Sequence, residues 1–147
     1  MKAIKYETYG PPADVLSLAE ISEPELAEDQ ILIGVKAAGV NPYDWHFVRG
    51  EPLLMRLMVG FRAPKETRLG VDFSGEVEAI GANVTEFKPG DAVYGMANGA
   101  FAEKVVAREQ DIVHKPGNLS HAEAASVPMA GITALQGLRN CGIESTL

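Results

Sequence analysis

Residues 69–95, LGVDFSGEVEAIGANVTEFKPGDAVYG, decide the fold. Apolar and polar side chains roughly alternate from Phe73 to Ile80. Gly81-Ala82-Asn83 breaks that run, and Lys88-Pro89-Gly90-Asp91 turns the chain again before Ala92–Gly95. Alternation bounded by turn residues predicts half-buried antiparallel strands. Pro89 suits the first central position of a type II turn, and Gly90 takes the positive φ required at the second. Glycines at 70, 75, 81, 90 and 95 mark the tight corners of a small, sharply curved barrel.

Working outward, Lys2–Tyr9 reads as a first strand closed by Gly10-Pro11-Pro12, and Val15–Ile21 as its partner. Gln30–Gly39 is the most strand-like segment, with Ile31, Ile33 and Val35 on one face. Asn41-Pro42 breaks it, because Pro42 biases Asn41 towards extended backbone and fits a first helical turn. A short helix from Tyr43 to about Val48 follows, stopped by Gly50. Residues 51–68 are a long connection carrying Leu53, Leu54, Leu57, Met58 and Phe61. Burying each such side chain is worth about 1.5–3 kcal/mol, so a helical turn or flap over one mouth of the barrel is expected. Residues 99–107 and 112–115 supply further strands. Ser120-His121-Ala122-Glu123 fits a capping box opening a short helix. Pro128 ends or kinks that helix, and Met129–Arg139 forms a second one with Gly142 as its stop. The pattern predicts a mainly β, α+β architecture: a partly open β-barrel over residues 1–119, then helices over 120–147.

Bulk properties narrow the function. A chain of 147 residues with 46% hydrophobic and 22% charged content suits one globular unit. A formal charge of −7 argues against nucleic acid or an anionic membrane as partner. The single cysteine, Cys141, excludes an internal disulfide framework. The opening MKAIKYETYG lacks the apolar core of a signal peptide, and a cytoplasmic setting is the default expectation. His46, His114 and His121 are far apart and show no ligand spacing. No Gly-x-Gly-x-x-Gly occurs, so the chain is not expected to hold a dinucleotide firmly.

Gly70-x4-Gly75-x5-Gly81-x2-Val84, followed by Pro89-Gly90-Asp91-x-Val93, resembles the medium-chain dehydrogenase/reductase superfamily, in particular its zinc-free, quinone-oxidoreductase-like branch. Zinc-dependent relatives carry His-Glu after the first glycine, where this chain has Val71-Asp72, and a cysteine where it has Asn41. The resemblance spans essentially the whole chain but only the first half of a family member. It implies a GroES-like barrel whose tail, Ala124–Leu138, links to a Rossmann domain that this sequence does not contain.

The implied reaction is hydride transfer from NADPH or NADH to a quinone, an enone or a simple carbonyl, without zinc. The short chain alone is expected to be inactive and to bind no cofactor. The expected partners are the small-molecule substrate and the missing domain, and a homodimer is allowed. Asn41 would line the cleft near nicotinamide and substrate, or simply be a turn residue bonding its own backbone. His46 could donate a hydrogen bond to a carbonyl oxygen, or be a surface helix histidine. Tyr43 and Trp45 would wall an apolar pocket beside Val71, or serve only as packing. Asp72 would orient Asn41 or a water, or cap backbone amides. Thr133 matches the segment that lies against the cofactor in relatives, or is a helix residue bonding back to its own chain, and Arg49 could attract a substrate carboxylate or cofactor phosphate, or be a solvated surface arginine. A freestanding binding or assembly module and an active zinc alcohol dehydrogenase are the competing readings.

Overall fold

A computed structural model describes residues 1–143, so residues 144–147 of the expected tail lie outside it. Seven strands form two sheets. β1 (Lys2–Lys5) and β2 (Ser17–Glu20) make an antiparallel pair. β3 (Gln30–Gly39), β4 (Asp72–Ile80), β5 (Ala92–Met96), β6 (Lys104–Arg108) and β7 (Ile112–His114) form a five-stranded antiparallel sheet ordered β6-β3-β4-β5-β7. The sheet does not close, and isolated bridges from Ala3 to Ala102 and from Lys5 to Arg68 join the small pair to the segments that precede β6 and β4. The α+β class therefore holds, and the sheet is left open.

Alternation places the core. Ile31 and Ile33 of β3, Phe73 and Val77 of β4, Val93 of β5 and Val105 of β6 point inward and pack with Val84, Phe87 and Ile112. Bulges between Leu32 and Ile33 and between Val35 and Ala37 bend β3 along β4. Lys88–Asp91 makes the expected turn, Asp91 N donating to Lys88 O at 3.1 Å with Gly90 at φ +93°.

The first two strands are shorter than expected, because Pro11-Pro12 starts a four-residue helix, α1 (Pro12–Val15), between them. The strand expected over 99–107 begins only at Lys104. α2 (Pro42–Arg49) ends at Gly50, which is left-handed at φ +62°.

The apolar flap is the main correction. Residues 51–68 carry one 3-10 turn (Leu53–Met55) and a four-residue helix, α3 (Arg56–Val59). Yet Leu53, Leu54, Leu57, Met58 and Phe61 remain 64–80% exposed instead of roofing the barrel. The backbone of the segment is nonetheless held at its far end, where Thr67 O accepts from Tyr6 N at 3.0 Å, and nearer its start. Arg56 donates to Gly50 O and Arg49 O at 3.0 and 3.1 Å and lies over the Tyr9 ring, while Tyr9 Oη donates to Gly60 O at 2.7 Å.

Behind the sheet, α4 (His121–Ala125) has the predicted capping box, with Glu123 N donating to Ser120 Oγ at 3.2 Å and Ser120 N to Glu123 Oε2 at 2.8 Å. It buries Ala124 and Ala125. His121 Nδ1 pairs with Ser74 Oγ at 2.8 Å, and Ser74 Oγ donates onward to Val93 O. Because that hydroxyl proton is committed to Val93, Nδ1 of His121 carries its own proton. Pro128 opens rather than merely ends a helix: α5 runs Pro128–Asn140.

Candidate functional site

Two connected hollows meet where the N-terminus of α2, the 66–71 segment and the 97–98 turn come together. The larger, about 500 Å³, is walled by Tyr43, Glu66, Arg68, Val71, Met96, Asn98 and Met129 among others. The smaller, about 80 Å³, shares Tyr43, Glu66, Arg68, Val71 and Asn98 and adds Tyr6, Asp44 and Phe47. Glu66 and Arg68 form a two-pronged pair at their rim, with both N–O distances at 3.0 Å. The guanidinium holds the Glu66 carboxyl below the usual carboxylate range.

Local sequence explains the floor. Asn41 precedes Pro42 at the N-cap of α2, and Asp44 three residues on reaches back, its Oδ2 accepting from Asn41 N at 2.8 Å. This buries Asp44, which is 3% exposed and has no partner for Oδ1. Desolvation raises its carboxyl above the ordinary aspartate value, and the charge of Asp72 adds to that, while the amides of Asn41 and Gly70 pull it down. Asp72, 1% exposed, begins β4 and accepts from Met129 N at 3.0 Å, tying the first turn of α5 to the sheet. Its Oδ1 and the Nδ2 of Asn41 are likewise buried without a partner.

The expected site residues do not all gather. Tyr43 and Val71 line the hollows, and Tyr43 packs against Phe47 with ring centroids 4.2 Å apart. Asn41 and Asp72 line neither hollow, and Asp72 caps the backbone amide of Met129. His46 sits midway along α2, exposed, with Nδ1 3.0 Å from Glu51 O. Trp45 faces outward beneath Arg49, whose guanidinium lies 5.0 Å from the ring centroid and bonds Glu51. Thr133 is exposed on α5, outside both hollows. Sequence reasoning passed over Asp44, Tyr6, Glu66 and Arg68. The Asn-x-x-Asp spacing of a helix N-terminus could have found the first; nothing local marks the others, which long-range folding brings together.

A third hollow, an apolar groove of about 530 Å³, runs between β5, β7 and α5, with Tyr94, Ile112, Val113, Val127, Ile132 and Leu135 on its sides. Among the described residues no three His, Cys, Asp or Glu side chains cluster as a metal site, and no helix is long and apolar enough to cross a membrane.

The carboxyl of Asp44 gives a prediction with a definite sign. A folded-state pKa above the unfolded one stabilises below the unfolded value, and that contribution disappears as pH rises through the folded value. Asp44→Asn keeps an acceptor for Asn41 N but never ionises. Its melting temperature relative to the parent should therefore climb between pH 4 and pH 7. Asp44→Ala, which also loses the cap, should cost about 1 kcal/mol. A flat difference for Asp44→Asn across that range would contradict the burial argument.

Residues 27–117 match the family of the alcohol dehydrogenase GroES-like domain. A chloroplastic quinone-oxidoreductase homolog of Spinacia oleracea is 38% identical, covering 94% of this chain and 42% of its own length. A chloroplastic NADPH-dependent alkenal/one oxidoreductase of Arabidopsis thaliana is 37% identical, covering 94% of this chain and 37% of its own length. The structure of the quinone oxidoreductase from Coxiella burnetii superposes with a TM-score of 0.87 at 37% identity, over 99% of this chain and 46% of that one. The chain thus spans less than half the length of these relatives.

Proposed function

Since this chain belongs to the alcohol dehydrogenase GroES-like domain family, on the quinone-oxidoreductase-like branch of the medium-chain dehydrogenases and reductases, we propose that it is the substrate-side part of an NADPH-dependent oxidoreductase acting on quinones, enones or related carbonyls. The observation that carries this reading is the near-complete agreement of its backbone with the Coxiella quinone oxidoreductase. Residues 1–119 are read as the substrate-side unit and 120–147 as the connection towards a nucleotide-binding domain. Zinc-independence is supported by residue identity: Asn41 and Val71 stand where zinc-dependent relatives have cysteine and histidine.

The residues suit the nicotinamide end of such a cofactor. The unpartnered Nδ2 of Asn41 fits a group bringing an acceptor, and Asn41 with Thr133 would hold that end, the cofactor supplying the hydride. Tyr43 and Val71 wall the substrate space, Trp45 stiffens the outer face of α2, and Asp72 fixes the start of α5. With no metal to polarise the carbonyl, hydrogen-bond donors must meet the developing charge. His46 serves as such a donor only if its ring leaves Glu51. A phosphate cradle is not encoded in these residues, which assigns pyrophosphate binding to the second domain.

NADPH titration tests the reading. Followed by nicotinamide fluorescence, the chain alone should bind weakly or not at all. The same chain joined to the nucleotide-binding half of the Coxiella enzyme should bind at micromolar affinity and reduce a quinone or an enone. Micromolar binding by the chain alone, or an inert but folded fusion, would favour a freestanding binding module instead. The chloroplastic relatives leave the compartment open to the same kind of direct test, by localisation of the tagged protein.

A further inference from the structure

The flap over residues 51–68 is turned inside out for a segment of a globular core. Its 3-10 turn and α3 carry Leu53, Leu54, Leu57 and Met58 at helical spacing, and these side chains, with Phe61 just beyond, are 64–80% exposed. The residues between them, Met55, Arg56 and Val59, are the half-buried ones. Bonds on that inner side fix the orientation. Arg56 donates to Gly50 O and Arg49 O and lies over the Tyr9 ring, Tyr9 Oη donates to Gly60 O, and Lys65 N donates to Val59 O at 2.9 Å. A guanidinium therefore faces the body of the protein while five large apolar side chains face outward. Apolar side chains grouped in this way mark an interaction surface.

Charge identifies the partner. Residues 51–68 hold four basic and two acidic side chains, against nine and eighteen in the rest of the chain. The net charge of −7 thus conceals a local positive excess at the flap. Arg68 is paired with Glu66 and Arg56 is held by carbonyls, but Arg62 and Lys65 are exposed and enter no ion pair among the described residues. We propose that the flap is a lipid-docking surface. Leu53, Leu54, Leu57, Met58 and Phe61 enter the acyl boundary of an anionic bilayer, and Arg62 and Lys65 meet its headgroups. The acidic remainder of the molecule is repelled by the same surface and faces away from it, which orients the protein. A second copy of the chain is the poorer occupant, because a twofold contact through the flap would set its cations against themselves and draw two acidic bodies together.

Vesicles of pure phosphatidylcholine and of equimolar phosphatidylcholine and phosphatidylglycerol are the probes, sedimented with the whole chain. At low salt the chain should partition onto the mixed vesicles about tenfold better than onto the neutral ones, and it should come off as salt rises. Leu54→Ser combined with Met58→Ser should lower binding by about tenfold or more, with circular dichroism and melting unchanged because both side chains already face water. Arg62→Ser combined with Lys65→Ser should leave binding to neutral vesicles alone and remove the preference for anionic lipid. The fusion to the nucleotide-binding half of the Coxiella enzyme should bind vesicles as the chain does. No binding to mixed vesicles, equal partition onto the two compositions, or undiminished binding by a folded Leu54→Ser, Met58→Ser chain would overturn the proposal. So would loss of binding in a folded fusion, or a dimer in sedimentation velocity that the same two serines split.

Discussion

Alanine at Gly70 should destabilise the chain by about 3 kcal/mol or more, a loss read directly as a lower urea midpoint with an unchanged slope. Gly70 has φ +91°, where any other residue is strained. An added Cβ would also sit 2.6 Å from the backbone nitrogen of Phe101, whose N–H donates to Leu69 O at 2.9 Å. Relief by moving away is blocked. Gly70 O accepts from both Gly99 N and Ala100 N at 2.9 and 3.1 Å, so this peptide fastens the 97–101 segment to the start of β4. The same junction borders the two hollows, and a variant that survives should show displaced signals at Val71 and Asn98. A Gly70→Ala midpoint within error of the parent would mean that the corner is far softer than its bonding implies.

Phe73→Ala should cost about 3–5 kcal/mol, a large share of what a domain of this kind possesses. Phe73 is wholly buried at the centre of the five-stranded sheet, opposite Ala38 on one side and Gly95 on the other. Its neighbours in sequence point to the other face and hold functional geometry: Asp72 ties down α5, and Ser74 receives His121. Emptying one face should therefore loosen the other. Phe73→Leu separates the effects, since it keeps most of the volume and should cost markedly less. If the alanine variant melts like the leucine variant, the cavity has collapsed and the sheet is more plastic than its packing suggests.

The sheet was legible because its signals are local. β3 was read to its observed limits, Gln30–Gly39, since period-two alternation and a following Asn-Pro leave little choice. The capping box at Ser120–Glu123 and the turn at Lys88–Asp91 were readable for the same reason. Hydrophobicity does not by itself bring burial over 51–68: Leu53, Leu54, Leu57, Met58 and Phe61 recur at helical spacing, yet the segment forms only a 3-10 turn and a four-residue helix, and these side chains stay exposed. Pro12 likewise reads as a terminator in sequence but acts as the first residue of α1.

The site was only partly legible. Tyr43 and Val71 were named from their neighbourhood and do line the cleft. Asn41 and His46 are implied by the resemblance alone; Asn41 is the half-buried N-cap of α2, whereas His46, midway along it, is exposed and turned to Glu51 O. Glu66, Arg68 and Tyr6 reach the same hollow from separate stretches of chain, and no spacing rule announces a meeting set by the sheet.

The attachment of α5 has a mechanical consequence. This 13-residue helix buries only Pro128 and is anchored at its first turn through Met129. A helix of that length is marginal in water without a packed face, so its one side-chain tie, at the first turn, bears much of its attachment. A displacement of the helix would be passed through that one carboxylate, Asp72, to the strand it begins.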